Sequence, residues 1–247
     1  MEKIKFITDI KNYSSNFYCF VDELLTCLYS TVYDSNENHV MLDVGANKGD
    51  ITKILLAHTN EFSGEIIAID AHPNWSDDFL FNDHPLVTKY NTGCYSTKCV
   101  KKFIAQKNLT GKGFIGLSPV KHKLDIKKLV TFKIDCDTLD NIINTNKKIS
   151  FLKIDAESSD FEILLGGINL IKNHRPFILF EFSGQIFEKA HAHDRKDFFK
   201  FFKDINYNLY SAGLGLTADQ IADSWDKFMP EFTDILAIPQ EHKGLAE

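Results

Sequence analysis

The chain has 247 residues, of which 44% are hydrophobic and 25% are charged, and these proportions are ordinary for a soluble globular protein. The formal net charge of −6 argues against nucleic acid as a partner, because non-specific binding to it relies on an excess of Lys and Arg. No stretch approaches the ~20 apolar residues that cross a bilayer, so no membrane span is expected.

The cysteines and the first residues predict a compartment. The five cysteines are odd in number and lack C-x-x-C spacing, which is typical of reduced thiols. The first ten residues carry Glu2, Lys3 and Lys5 without an apolar run, so we expect no secretory leader. Together these features predict a cytoplasmic protein.

The chain begins with a predicted helical appendage over residues 1–38. Apolar residues at helical spacing between Phe17 and Leu28 predict an amphipathic helix. Its apolar face is expected to cover an edge of the main domain or a partner subunit in a homodimer.

Strands and helices alternate in the predicted main domain, residues 39–239. In chain order the predictions are strand 39–44, helix 50–58, strand 65–70, strand 86–91, strand 129–135, helix 138–143, strand 149–155, helix 158–172, strand 176–182, helix 196–205, strand 207–212, helix 217–228 and strand 232–239. Continuous apolar strands that alternate with helices indicate a largely parallel sheet covered on both faces.

Two regions depart from this alternation. Residues 92–128 resemble an inserted hairpin or lobe around Gly111 and Gly113. Within it, residues 111–123 are expected to form the wall of a substrate pocket together with Trp75. The lysine clusters of the lobe predict a solvated face, with contact to an anionic substrate as the alternative. Residues 240–247 predict a frayed tail.

Polar side chains stand at the carboxyl ends of several predicted strands. They are Asp43, Asp70, Asn91, Asp155 and Glu181. In an open parallel sheet, ligands bind in the crevice beyond that end of the strands. We therefore expect these side chains to converge on one site.

The loop after the first strand reads G-A-N-K-G-D and indicates a ligand-binding turn. Gly45 and Gly49 allow a sharp turn and a close approach of the backbone to a ligand. Neither the dinucleotide fingerprint G-x-G-x-x-G nor a P-loop G-K-[ST] is present. The alternative interpretation is a tight turn that holds nothing.

The two carboxylates beside this loop narrow the choice of ligand. Asp43 would repel a pyrophosphate and attract a cation. Asp70 ends the second strand, where an acidic residue accepts hydrogen bonds from a ribose diol. A ligand with an adenosine end and a positive or zwitterionic end fits better than NAD, and S-adenosylmethionine carries both.

Five motifs in order resemble the FkbM family of S-adenosylmethionine-dependent methyltransferases across most of residues 39–182. They are MLDVGANKGD, IIAIDAHP, CDTLDNI, FLKIDAESSDFEILLGG and PFILFEF. The second has Asp-x-His-Pro where Glu-Pro is commoner, and Ser158 replaces a usual Gly in the fourth. The resemblance implies a class I methyltransferase fold, which is α/β and Rossmann-like. Its seven-stranded sheet is mostly parallel, with helices on both faces and an antiparallel last strand.

The resemblance also implies roles at the cofactor site. Residues that would bracket the methionine end of S-adenosylmethionine are Asp43, Gly45, Asn47 and Gly49. Asp70 would take the ribose, and Asn91 would lie near the adenine.

Family members methylate hydroxyl oxygens, many of them on sugars. The predicted activity is therefore O-methylation of a sugar hydroxyl. The predicted acceptor is a nucleotide-activated sugar or another glycan precursor of a bacterial surface polysaccharide. The alternatives are a lipid or polyketide hydroxyl as acceptor, or a non-catalytic scaffold whose N-terminal helix binds a partner.

Carboxylates at two neighbouring strand ends are the candidates for the chemistry. A sugar hydroxyl is a weak nucleophile, so attack on the sulfonium methyl needs positioning and a group or metal that deals with its proton. Asp155 and Glu157 follow one strand and Glu181 ends the next, close enough to share one hydroxyl or one divalent cation. The predicted ligands of such an Mg²⁺ or Mn²⁺ ion are Asp155 and Glu181.

The segment after Glu181 adds histidines to this set. His193, with His191, is a further candidate base or metal ligand. The alternatives remain that Glu157 caps a helix, that Glu181 is merely exposed, and that the histidines lie on the surface.

Overall fold

The computed structural model describes residues 17–33, 38–62, 64–106, 113–115, 129–157, 159–182, 193–212, 216–223 and 233–245. The strands within these ranges are β1 His39–Val44, β2 Glu65–Asp70, β3 Val87–Asn91, β4 Gly93–Cys94, β5 Cys99–Gln106, β6 Gly113–Ile115, β7 Leu129–Asp137, β8 Lys148–Ile154, β9 Phe177–Phe182, β10 Tyr207–Ser211 and β11 Thr233–Pro239. The α-helices are α1 Phe17–Thr31, α2 Asp50–Phe62, α3 Trp75–Asp78, α4 Leu139–Ile142, α5 Asp160–Gly166, α6 Ile168–His174, α7 Arg195–Asp204 and α8 Ala218–Asp223.

Seven strands form the main sheet in the order β10-β11-β9-β8-β1-β2-β3. Strand β11 runs antiparallel to both of its neighbours, and the other neighbouring pairs are parallel. The predicted fold class, a seven-stranded mostly parallel sheet with an antiparallel last strand, is confirmed. The parallel arrangement brings the carboxyl ends of β1, β2, β8 and β9 to one edge.

Helices cover both faces of this sheet because successive side chains of a strand point to opposite sides. Met41 and Phe151 pack with the apolar residues of α1 and α2. Leu42 and Leu152 pack on the other face with residues of α5, α6 and α7. Burying one such side chain contributes about 1.5–3 kcal/mol, so each face is a substantial part of the core.

Helix α1 belongs to this core. Phe20, Val21 and Leu24 lie in the same buried cluster as Met41 of the sheet. With 15 residues α1 is the longest described helix, and no helix in the described ranges is long and apolar enough to cross a membrane.

The strand predicted at 129–135 does not join the main sheet. As β7, residues 129–137, it pairs antiparallel with β5 in a second sheet of order β4-β7-β5-β6. The reason is visible in its side chains, because Ile134 and Cys136 are buried while Lys133 and Asp135 are exposed. A strand that alternates in this way has one solvent-exposed face, whereas the strands of a parallel sheet covered by helices are buried on both faces.

The helix predicted at 158–172 is two helices. Helix α5 ends at Gly166 and α6 begins at Ile168. Asp140 caps the start of α6 by accepting hydrogen bonds from the backbone N–H groups of Asn169 and Leu170, at 3.2 and 2.8 Å. These backbone N–H groups would bond within the helix if α5 and α6 were continuous, so the cap allows α6 to begin as a separate helix.

The predicted frayed tail is also corrected. Residues Gln240–Leu245 form a 3₁₀ helix. The guanidinium of Arg175 binds the Glu241 carboxylate through two nitrogens, at 2.8 and 2.7 Å. This bidentate pair anchors the tail to the end of α6.

Candidate functional site

A pocket opens at the carboxyl ends of β1, β2 and β8. The described charged residues that line it are Asp50, Asp70, Lys153, Asp155 and Glu157. Other walls come from outside the main sheet, with Tyr18 from α1, Phe103 from β5 and Ile115 from β6. Of the predicted wall 111–123, the described residue Ile115 lines the pocket, whereas Phe103 lies outside those bounds.

The glycine turn contributes Gly45 to the described lining of the pocket, whereas Gly49 lies outside that lining, so its predicted contact with the cofactor stays a prediction. Gly45 and Gly49 have φ values of +78° and +97°, which favour glycine. A Cβ on Gly45 would lie 1.9 Å from the backbone oxygen of Asp155, and one on Gly49 would lie 2.8 Å from the Phe81 ring. Gly45 therefore allows β1 to approach the end of β8, whereas the sequence suggested close approach to a ligand.

Asp70 holds this turn in place and also faces the pocket. Its Oδ2 accepts from the backbone N–H of Asn47 at 2.9 Å, and its Oδ1 accepts from that of His72 at 2.8 Å. Burial raises the pKa of Asp70 to about 6. Each oxygen keeps a second lone pair, so the ionised carboxylate can still accept hydrogen bonds from a ligand.

Asn47 and Trp75 complete the turn. Asn47 lines the pocket with a left-handed backbone, φ +47°. Its carbonyl oxygen accepts a hydrogen bond from the indole N–H of Trp75, which is 1% exposed. Trp75 therefore supports the turn from below, and the expectation that it walls the pocket is wrong.

Asp43 lies beneath the pocket. It is completely buried, and its Oδ2 accepts a hydrogen bond from Thr52 Oγ1 at 2.6 Å. Burial raises the pKa of Asp43, and its Oδ1 has no hydrogen-bond partner among the described residues. Asp43 is not part of the described pocket lining, so its predicted contact with the cofactor remains a prediction.

Lys153 is the functional candidate that the sequence analysis missed. It stands opposite Asp43 in the pairing of β1 and β8, and its Nζ lies 3.1 Å from Asp155 Oδ2. Burial alone lowers the pKa of Lys153, but Asp155 and Asp43 outweigh it and keep the pKa above the usual value. The sequence did contain a signal for Lys153, which is a charged residue inside an apolar strand. Buried lysines are rare unless paired, so this position indicates a lysine with a carboxylate partner.

The predicted catalytic carboxylates lie at the same edge of the sheet. Asp155 and Glu157 line the pocket, and Glu157 has a left-handed backbone with φ +49°. Glu181 lies beside the described lining rather than in it. Burial is the main reason that the pKa of Glu181 is raised to about 9, with Asp155 and Asp160 as the next contributors.

Asn91 and His193 contact other groups. The Asn91 side-chain amide donates to the backbone oxygens of Asp70 and His72, at 2.8 and 2.9 Å. His193 Nε2 lies 2.9 Å from Glu162 Oε1. Neither residue is in the described lining of the pocket, and their predicted roles stay predictions. His191 lies outside the described residues.

The described residues do not support a metal centre. No group of three or more His, Cys, Asp or Glu side chains among them could hold a metal ion. One oxygen of Asp155 is already paired with the Lys153 ammonium. The predicted divalent cation at Asp155 and Glu181 therefore gains no support from these contacts.

Tyr18 reaches the pocket from an unexpected element. It lies on α1, its side chain is 48% exposed, and it lines the pocket. Burial and then Asp50, the first residue of α2, raise the pKa of Tyr18. Tyr18 was not among the residues that the sequence analysis singled out, because helical periodicity does not show what lies beside the outer face of a helix.

Comparisons with known proteins support a methyltransferase. The sequence profile of the methyltransferase FkbM domain matches residues 43–231. No curated protein gave a match.

Three solved structures are among those similar to this chain. A methyltransferase FkbM from Methylobacillus flagellatus KT has 16% identity and a TM-score of 0.45, over 83% of this chain and 44% of that chain. A ribosomal RNA methyltransferase from Plasmodium falciparum has 13% identity and a TM-score of 0.40, over 89% and 95%. Aeropyrum pernix fibrillarin, with natively bound S-adenosyl-L-methionine, has 11% identity and a TM-score of 0.40, over 87% and 74%. The present chain thus spans less than half the length of the first of these proteins.

Proposed function

This chain belongs to the FkbM methyltransferase family, and we propose that it transfers a methyl group from S-adenosylmethionine to a sugar hydroxyl. The observation that carries the proposal is the charge of the pocket. Its described lining has four carboxylates and one ammonium group, Lys153. S-adenosylmethionine is a net cation, since its sulfonium and ammonium groups outnumber its carboxylate, and it complements this lining.

Residues of the β1–α2 turn and of the end of β2 would hold the two ends of the cofactor. Asp70 would accept hydrogen bonds from the ribose hydroxyls, as acidic residues at this strand end do in related sheets. Gly45 and Asn47 would lie beside the methionine end. The orphaned Asn47 Oδ1, buried without a partner in the described structure, provides an acceptor on that side.

Asp155 is the proposed base. S-adenosylmethionine supplies an electrophilic methyl group, and the O–CH₃ bond forms as the S–CH₃ bond breaks. Asp155 would orient the acceptor hydroxyl and take up its proton, with Lys153 holding the carboxylate in place. Hydroxyl groups of a sugar suit a pocket edge that offers several carboxylate acceptors.

Titration calorimetry with S-adenosylmethionine and S-adenosylhomocysteine tests the cofactor assignment. We expect both to bind in a one-to-one ratio. A folded protein that binds neither would contradict the proposal and favour the alternative of a non-catalytic scaffold.

Asp70→Ala is expected to weaken cofactor binding about ten- to a hundredfold. The reason is that losing a hydrogen bond to a charged group costs roughly 1.5–3 kcal/mol. Calorimetry with S-adenosylhomocysteine measures the change. Asp83→Ala, which removes a carboxylate outside the described pocket lining, is the matched control and should bind like the wild type. Unchanged affinity in a folded Asp70→Ala variant would show that the ribose lies elsewhere.

Cofactor affinity is also expected to depend on pH through Asp70. Burial raises its pKa to about 6, so the carboxylate is ionised at pH 7.5 and protonated at pH 5. Protonation removes the charged acceptor, and affinity for S-adenosylhomocysteine should therefore fall as the pH falls through 6. The neutral product is used because it lacks the sulfonium charge. Asp70→Asn should lose this pH dependence, and a wild-type affinity that is flat between pH 7.5 and 5 would refute the assignment.

A further inference from the structure

We propose that the acceptor binds an anionic subsite formed by Asp155, Asp160 and Glu181, and that the acceptor carries an amino group, with amino sugars as the substrate class. The inference rests on the proposed function, because it specifies the acceptor of that reaction. Asp155 joins the subsite to the cofactor pocket that it lines.

The first observation is a set of carboxylates at the ends of three adjacent strands. Asp155 follows β8, and Glu181 is the penultimate residue of the neighbouring β9. Asp234 of β11 stands directly opposite Glu181 in the antiparallel pair. These positions bring the carboxyl groups of Asp155 and Glu181 to the same edge of the sheet, with Asp234 one strand further along.

The second observation is a buried carboxylate oxygen that lacks a partner. Asp160 is 2% exposed, and its Oδ1 accepts a hydrogen bond from the Ala156 backbone N–H at 3.3 Å. Its Oδ2 is buried and has no hydrogen-bond partner in the described part of the chain. Buried polar atoms are nearly always paired in proteins, so this oxygen indicates a donor supplied by a ligand.

Electrostatic repulsion links the three carboxyl groups of the subsite. The presence of Asp160 contributes to the raised pKa of Glu181, and Asp155 contributes to the raised pKa of both. After burial, which is the main cause in each case, this repulsion brings the pKa of Asp160 to about 7 and that of Glu181 to about 9. The free subsite therefore retains protons at neutral pH.

The described pocket lining offers these three carboxylates a single cationic side chain. Lys153 is the one described lysine or arginine in the pocket lining, and its Nζ is paired with Asp155. A substrate ammonium would supply both the missing charge and the missing donor, and its binding would displace a proton from the subsite. A phosphate or diphosphate would instead face like charges, which argues against sugar phosphates and nucleotide sugars as acceptors.

Matched sugars titrated into the protein saturated with S-adenosylhomocysteine test the inference. The probes are glucosamine, galactosamine and mannosamine. Each is compared with the corresponding neutral hexose and with the 6-phosphate of that hexose. At pH 7 we expect at least one amino sugar to bind tenfold or more tightly than its neutral partner, since charged hydrogen bonds are worth this much. The binding heats measured in phosphate and in Tris buffer should differ. The released proton is taken up by the buffer, and the two buffers have different enthalpies of protonation.

Two variants assign the preference to the subsite. Glu181→Gln and Asp160→Asn keep the shape of the protonated side chains and should reduce the amino-sugar preference to less than about threefold. Asp204→Asn changes an exposed carboxylate on α7 and should leave the preference intact. Thermal unfolding followed by circular dichroism identifies any variant that fails to fold. If either Glu181→Gln or Asp160→Asn does not fold, the amino-sugar preference of the other one tests the subsite.

The outcomes separate the two proposals. Binding of S-adenosylhomocysteine without any amino-sugar preference, or a preference that survives in both variants, overturns the anionic subsite and leaves the proposed function standing. Tighter binding of the neutral or phosphorylated sugars overturns it as well. Failure of S-adenosylhomocysteine to bind overturns the proposed function and this inference with it.

Discussion

Asp155→Asn is expected to lower the turnover number for methyl transfer by about 10²–10⁴, the usual contribution of a general base. The substitution removes the charge and the capacity to take up a proton, but it keeps the size of the side chain. Its amide oxygen can still accept a hydrogen bond from Lys153 Nζ, which lies 3.1 Å from Asp155 Oδ2. The Asp155 side chain is 43% exposed, and Asp43 remains opposite the buried Lys153 as a second carboxylate, so we expect only a small loss of stability.

The measurement is transfer of a tritiated methyl group to the sugar identified by the titrations, at saturating concentrations of both substrates. Asp50→Asn is the matched control, since it removes another carboxylate from the lining of the same pocket. Its turnover should stay within about tenfold of the wild type, well short of a general-base effect. An Asp155→Asn enzyme that turns over as fast as the Asp50→Asn control would exclude Asp155 as the base.

Gly45→Ala is expected to destabilise the protein by about 3 kcal/mol or more and to abolish measurable cofactor binding. The left-handed backbone costs an L-residue roughly 1–2 kcal/mol. The steric clash costs more, because the new Cβ would lie 1.9 Å from the Asp155 backbone oxygen, and a backbone atom cannot rotate away. Relief of this clash must separate the cofactor turn from the residue proposed as the base.

Urea unfolding and calorimetry with S-adenosylhomocysteine measure the two effects. Gly64→Ala is the control, since its Cβ would meet its nearest neighbours at 3.5 Å, an ordinary contact distance. That variant should lose less than about 1 kcal/mol, as a substitution without a clash or an unusual backbone usually does. Wild-type stability and affinity in Gly45→Ala would mean that the turn is not packed against β8 in this way.

Local patterns in the sequence determined most of the fold. Continuous apolar runs identified the strands of the main sheet, because a strand covered on both faces buries every side chain. The turn at Gly45 and Gly49 was also evident, since both residues have the positive φ values that glycine adopts without strain. Strand ends mark one edge of a parallel sheet, so the gathering of Asp70, Asp155 and Glu181 at that edge followed from their positions alone.

Predictions from the sequence were wrong where one local pattern is compatible with two different tertiary arrangements. The strand at 129–137 was visible as a strand, but its partners depend on which sheet covers its one apolar face. The division between α5 and α6 depends on Asp140, a cap supplied from another helix. Trp75 was a candidate pocket wall by sequence and is a buried support in the structure.

The environment of the carboxylates was decided only by tertiary structure. Hydrophobic periodicity states which side of an element faces inward, but not which distant side chain meets it there. Lys153 lies beside Asp155 and opposite Asp43 only because β1 and β8 pair in one particular register. Burial and mutual repulsion, which bring the pKa of Glu181 to about 9, likewise arise from Asp155 and Asp160 in space. The sequence therefore identified the carboxylates as candidates. Their desolvation and their pairing with Lys153, which determine their chemical roles, result from packing across the sheet.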